Sequence, residues 1–132
     1  MAPARAGPAA HRADGERKGH SRAVVDLARE IESSMIVRIV KMTFAPANAE
    51  RFLELFESWK PRIRAFPGCM HLELLRDSAA PNVFFTYSHW DGPADLERYR
   101  TSDVFSEVWP TVKPLFAAPT EAWTVDRIEH LP

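Results

Sequence analysis

Two hydrophobic periods alternate along residues 35–128, and their order leaves few folds open. Ile36 to Phe44 follows the two-residue period of a strand, with Ile36, Val40, Met42 and Phe44 on one face and Val37 and Ile39 on the other. Phe52, Leu55, Phe56, Trp59, Ile63 and Phe66 then recur at spacings of three and four, the stripe of a core-facing helix. Met70 to Arg76 and Val83 to Trp90 return to the strand period, joined by Asp77-Ser78-Ala79-Ala80-Pro81-Asn82, whose turn formers suit a hairpin. Leu96, Tyr99, Phe105, Val108, Trp109, Val112 and Phe116 mark a second helical stretch, and Ala122 to Ile128 a last strand. A strand, helix, strand, strand, helix, strand order in so short a chain predicts an α+β, ferredoxin-like βαββαβ sandwich. Two helical segments cover only one face of such a sheet. Because both faces of the first strand carry apolar residues, the second face is expected to meet another copy, giving a homodimer.

Prolines and glycines punctuate this frame. Pro46 ends the first strand and Asn48 is placed to cap the first helix. Pro61 removes the amide that would bond the Glu57 carbonyl, which predicts a kink or break near Lys60. Phe66-Pro67-Gly68-Cys69 stops the helix, with Gly68 free to take positive φ. Pro93 opens the second helical stretch, and Thr101-Ser102-Asp103 divides it into two pieces with Ser102 capping the second. Pro114 argues against an unbroken helix to Phe116.

Residues 35–132 thus form the domain, preceded by an extension over residues 1–34. Its first 20 residues, dominated by Ala, Pro, Gly, Arg and His, have no hydrophobic period and are expected to be disordered. Val24, Leu27, Ala28 and Ile31 share one helical stripe, so a short helix over 21–33 is expected. The extension reads either as regulatory or as the product of an early start codon.

Composition excludes several functions. With 17 Lys and Arg against 18 Asp and Glu, the chain has no basic excess for nucleic acid or an anionic membrane. A lone cysteine, Cys69, rules out an internal disulfide framework, and no cysteine or histidine cluster has zinc spacing, so no metal site is expected. Neither a membrane span nor a secretory apolar run is visible, which points to the cytoplasm.

Met35 to Phe44, Phe66-Pro67-Gly68-Cys69, Phe84 to Trp90, Ser102-Asp103-Val104-Phe105 and Trp123 to Ile128 together resemble the antibiotic biosynthesis monooxygenase family, over about residues 35–128. The resemblance implies ferredoxin-like domains paired sheet to sheet as a dimeric barrel. It also implies oxygenation of a small aromatic, phenolic or quinol-type substrate without a bound metal, flavin or other cofactor, in a dry aromatic pocket that supplies proton-transfer groups. The alternative is a non-catalytic dimer that binds a small apolar molecule, because this fold also carries proteins without a reaction.

On that reading His89 and Tyr99 are the catalytic candidates, and His71, Tyr87, Trp90, Phe105 and Trp109 the substrate-contacting ones. They are expected to converge on the gap between the end of the third strand and the second helix. His71 and His89 titrate near neutrality as a base must, although a strand histidine is more commonly a surface or structural residue. Trp90 and Trp109 equally suit a core, and Cys69 a small buried hydrophobe. In the haem-degrading branch of the family the resemblance would place the iron-ligating histidine at Trp109, a pocket tryptophan at Tyr99 and an asparagine near Val40. All three positions differ, which disfavours haem degradation.

Overall fold

The computed structural model describes residues 35–132. The helix expected over 21–33 and the disordered segment expected before it lie outside the described residues. The chain runs β1 (Ile36–Thr43), α1 (Ala49–Arg64), β2 (Cys69–Arg76), β3 (Val83–Trp90), α2 (Pro93–Arg100), α3 (Asp103–Val112) and β4 (Glu121–Asp126), with 3-10 turns at Pro46–Asn48 and Lys113–Leu115. All four strands pair antiparallel in one sheet of order β2-β3-β1-β4. This is the expected α+β ferredoxin-like architecture. Among the described residues no helix is long and apolar enough to cross a membrane.

The register assigns every strand residue to one of two faces. Ile36, Arg38, Val40 and Met42 pair with Trp90, Ser88, Thr86 and Phe84. These residues lie under the helices, as the burial of Ile36, Met42, Phe84, Ser88 and Trp90 requires. Val37, Ile39 and Lys41 pair with His89, Tyr87 and Phe85 on the opposite, open face. β2 joins this pattern only through an irregularity between Cys69 and His71, which pair with the consecutive residues Trp90 and His89. A bulge of this kind inserts one residue, so Cys69 faces the helices and His71 the open side.

The covered face holds two clusters of buried side chains. Met42, Phe44, Phe52, Phe56, Trp59, Ile63, Phe84 and Val112 form the larger one. Phe44 stacks on Phe52 with ring centroids 4.4 Å apart. The smaller cluster contains Ile36, Cys69, Trp90 and Leu96. Burial pushes the Cys69 thiol up, so it packs as a protonated hydrophobe.

Local structure follows the sequence at most punctuation points. Pro93 opens α2, Ser102 caps α3 by accepting from the Phe105 amide at 3.2 Å, and the chain leaves the α-helix at Lys113 one residue before Pro114. Three expectations are corrected. Helix α1 passes through Pro61 to Arg64 without a break, because the proline sits in its last turn and the carbonyl it leaves unbonded belongs to the exposed Glu57. Asn48 makes no side-chain cap; its amide donates instead to the Leu115 carbonyl at 3.2 Å and ties the start of α1 to the approach to β4. The last strand spans Glu121–Asp126 rather than Ala122 to Ile128.

Candidate active site

Between the two clusters the covered face does not close. A cavity of about 320 Å³ remains, touching Met42, Phe52, Phe56, Trp59, Ile63 and Val112 of the larger cluster and Trp90 and Leu96 of the smaller. Its floor is the sheet, through Arg38, Val40, Thr86 and Ser88, and its walls come from α2 and α3 through Tyr99, Arg100, Phe105, Val108 and Trp109. The volume suits one small molecule.

The break between α2 and α3 aims the aromatic wall. Ser102 Oγ donates to the Tyr99 carbonyl at 2.6 Å and accepts from the Phe105 amide, so one hydroxyl ends α2 and starts α3. Across that turn the rings of Tyr99 and Phe105 meet edge to face at 5.4 Å. Tyr99 stacks on Trp90 at 5.1 Å, and Phe105 stacks on Trp109 at 6.0 Å with the planes only 7° apart. Trp59 presents its ring to the cavity while its indole N–H donates outward to Glu107 Oε2 at 3.3 Å. Glu107 also accepts from both terminal nitrogens of Arg62 at 3.0 Å, which holds its carboxyl below the usual range and links α3 to α1.

The polar complement of the cavity is small and one-sided. Arg38 reaches in from β1, and its Nη1 donates to Thr124 Oγ1 at 2.7 Å. Burial, reinforced by the nearby Arg100 guanidinium, lowers its pKa to about 10, so it stays charged at neutral pH. Burial, with a small contribution from Cys69, raises the Tyr99 phenol to about 12, leaving it a neutral donor. Ser88 Oγ accepts from the Trp90 indole at 3.0 Å. Thr120 Oγ1, also on the wall, is buried without a hydrogen-bond partner among the described residues. No Asp, Glu or His is among the described residues that line this cavity.

The structure therefore divides the residues expected to converge. Trp90, Tyr99, Phe105 and Trp109 line the cavity together. His71, Tyr87 and His89 do not: they form a separate cluster on the open face, where the two imidazoles lie 4.6 Å apart and Tyr87 meets His89 at 5.1 Å. The sheet lies between His89 and Tyr99. On the open face His71 Nε2 is 2.5 Å from Glu73 Oε2, and His89 Nδ1 is 3.5 Å from Arg127 Nη2. Burial first, then the charges of His71 and Arg127, pushes the His89 pKa down. Arg38, Ser88 and Thr120 also line the cavity, and hydrophobic patterning passed over them. The available signal for Arg38 was its place in the alternation, a cation in the row of Ile36, Val40 and Met42.

Comparison with known proteins narrows the class. The profile of the antibiotic biosynthesis monooxygenase family matches residues 35–109, more than half of the chain. The chain belongs to that family. Solved structures agree on the fold. A candidate antibiotic biosynthesis monooxygenase from Nitrosomonas europaea superposes with a TM-score of 0.69 at 19% identity, covering 75% of this chain and 95% of the other. Rv0793 from Mycobacterium tuberculosis gives 0.69 at 15% identity, covering 75% and 100%. A conserved protein from Methanosarcina mazei gives 0.68 at 20% identity, covering 74% and 98%. At these identities the likeness concerns the fold alone. No curated protein matches the sequence significantly.

Among the described residues, none of the histidines lies on the cavity wall to ligate a haem there. Among the described residues no three metal-ligating side chains cluster. Of the histidines there, His71 and His89 stand on the open face and His130 in the exposed C-terminal tail, while Trp109 lies on the cavity wall. Titration of the purified protein with haem is expected to give no sharp histidine-ligated Soret band at one equivalent. A band of that kind, lost on mutating His71 or His89, would overturn the assignment.

Proposed function

We propose that this protein is a monooxygenase acting on a small phenolic or quinol-type aromatic molecule without a bound metal or flavin. One observation carries the reading: in a chain of the monooxygenase family, the aromatic cavity of about 320 Å³ between sheet and helices is furnished with Arg38 and Tyr99. The reaction balances without an external reductant. A phenol and one dioxygen give a quinone and one water; the substrate supplies all four electrons, one oxygen atom enters the ring, and the other leaves as water. The protein supplies exclusion of bulk water, stacking surfaces in Trp90, Phe105 and Trp109, and a neutral Tyr99 hydroxyl that orients the reacting oxygen. Oxygen uptake against a panel of hydroquinones and polyphenols tests the reading. Tyr99→Phe is expected to lower turnover by roughly two orders of magnitude, the scale of a lost proton-transfer or orienting group. His89→Ala, on the far side of the sheet, is expected to leave turnover within a few-fold. Loss of activity in His89→Ala with Tyr99→Phe unaffected would move the site to the open face. The second reading, a binder without catalysis, is favoured by the lack of a carboxylate or imidazole on the described cavity wall; binding without oxygen uptake would establish it.

The open face fits pairing with a second copy. Met70, Leu75 and Val125 are 55, 44 and 40% exposed there or at its edge, a surface that single chains seldom leave to water. Light scattering at micromolar concentration is expected to show a homodimer, and a stable monomer would refute it. Acid should weaken the fold itself, lowering the melting temperature measured by calorimetry. His89 has a folded pKa below its ordinary value, so the stability linked to its neutral form is complete above about pH 6.5 and is lost as pH falls through the lower folded value. The single buried Cys69 suits a reducing cytoplasm.

A further inference from the structure

We infer that the cavity selects an aromatic anion, with the guanidinium of Arg38 holding its charged oxygen. The inference rests on the reading of the cavity as a small-aromatic site and adds the charge of what enters it.

Strand alternation carries the argument first. Arg38 shares the covered face with Ile36, Val40 and Met42, so its side chain rises into the apolar interior rather than toward water. A charge withdrawn from water is ordinarily paired with an opposite one. The comparable guanidinium on the wall, Arg100, has Glu97 at 3.5 Å. Arg38 forms no salt bridge among the described residues; its side-chain bond goes to a neutral hydroxyl, that of Thr124, and uses one of the five N–H groups a guanidinium carries. Thr120 Oγ1 supplies an independent observation, a buried hydroxyl of the same cavity with no hydrogen-bond partner among the described residues. A cation that feels Glu97 only at a distance and touches no carboxylate among the described residues, and a hydroxyl without a partner there, line one largely apolar cavity and are complementary to a bound anionic oxygen.

Electrostatics fixes the sign. An apolar pocket alone would raise the pKa of a bound phenol by withdrawing its anion from water. A fixed cation in the same low-dielectric space reverses that effect, because attraction falls off with distance and is least screened there. The phenol O–H bond then breaks with its electron pair left on oxygen and its proton passed to solvent as the molecule enters, before bulk water is excluded, so no side-chain base is needed. A carboxylate already attached to the ring would satisfy Arg38 equally. The shared chemistry is an aryl oxyanion, from either source.

Two pairs of probes on the full-length chain test the inference. The first is 4-nitrophenol, whose phenolate absorbs visible light while the neutral phenol does not; the second compares benzoate with benzamide, followed by calorimetry. The bound nitrophenol is expected to titrate about one pH unit or more below the free compound, and benzoate to bind about tenfold or more tighter than benzamide, the scale of one charge-assisted bond. Both preferences should vanish in Arg38→Gln and return in part in Arg38→Lys, with folding followed by circular dichroism. If Arg38→Gln does not fold, the wild-type comparisons still decide. A preference for benzoate with nitrophenol bound neutral supports the inference with a carboxylate as the source. The reverse supports it with a phenolate. Charged and neutral probes bound equally would overturn it and leave the small-aromatic reading standing, whereas no binding of any probe at millimolar concentration would overturn both.

Discussion

Replacing Trp90 with alanine is expected to destabilise the domain by about 3–5 kcal/mol, lowering its melting temperature by on the order of 20 °C. Trp90 is 1% exposed and anchors the smaller core cluster with Ile36, Cys69 and Leu96. Its ring stacks on Tyr99 at 5.1 Å and meets Phe66 edge to face at 6.4 Å. Truncation would leave a large void beside a cavity that already exists, and would strip the buried Ser88 hydroxyl of the indole N–H it accepts. Scanning calorimetry checks the size of the effect. Trp90→Phe should recover much of it, since it restores most of the ring but not the N–H. A shift of under about 5 °C for the alanine variant would show that the smaller cluster contributes little to stability.

Gly68→Ala should be nearly as damaging, although it adds a single methyl group. Gly68 has φ +92°, a conformation that L side chains rarely adopt, and that alone costs about 1–2 kcal/mol. A Cβ there would also collide with the Cβ and carboxyl of Asp95, in the first turn of α2. Since the Asp95 Cβ cannot swing away as a side-chain tip could, the helix itself must shift. The combined penalty is expected to reach about 3 kcal/mol, or roughly 10–20 °C in melting temperature. Measuring Gly68→Ala again in an Asp95→Gly background separates the two causes, because there only the backbone penalty remains. An equal loss in both backgrounds would assign the whole effect to φ and none to contact with α2.

The element order was legible because each segment carries its own period. The hydrophobic repeat of α1, the two-residue alternation of β1 and β4, and the capping serine between α2 and α3 are local signals that need no partner to be read. Pro61 misled for an equally local reason. Pro61 stands in the last turn, and the carbonyl it orphans, that of Glu57, is exposed to water.

The site was legible only in part. Trp90, Tyr99, Phe105 and Trp109 share a wall, as their helical spacing and strand end suggested. Grouping His89 and Tyr87 with Trp90 conflicted with strand geometry itself, because Trp90 is adjacent to His89 and neighbours in a strand point to opposite faces. His71 is different. Its side of the sheet depends on the irregularity after Cys69, which no composition or spacing announces.

Local periodicity thus specifies which residues of one segment share a face, and here that was enough for the βαββαβ order and for a covered and an open side. It cannot specify how faces of different segments meet, since that depends on register, on one inserted residue in β2, and on how far the helices stand from the sheet. The gap between the two core clusters and the guanidinium of Arg38 beside it arise only from that assembly. Packing within the sandwich is collective, and the space it leaves is a property of no single segment.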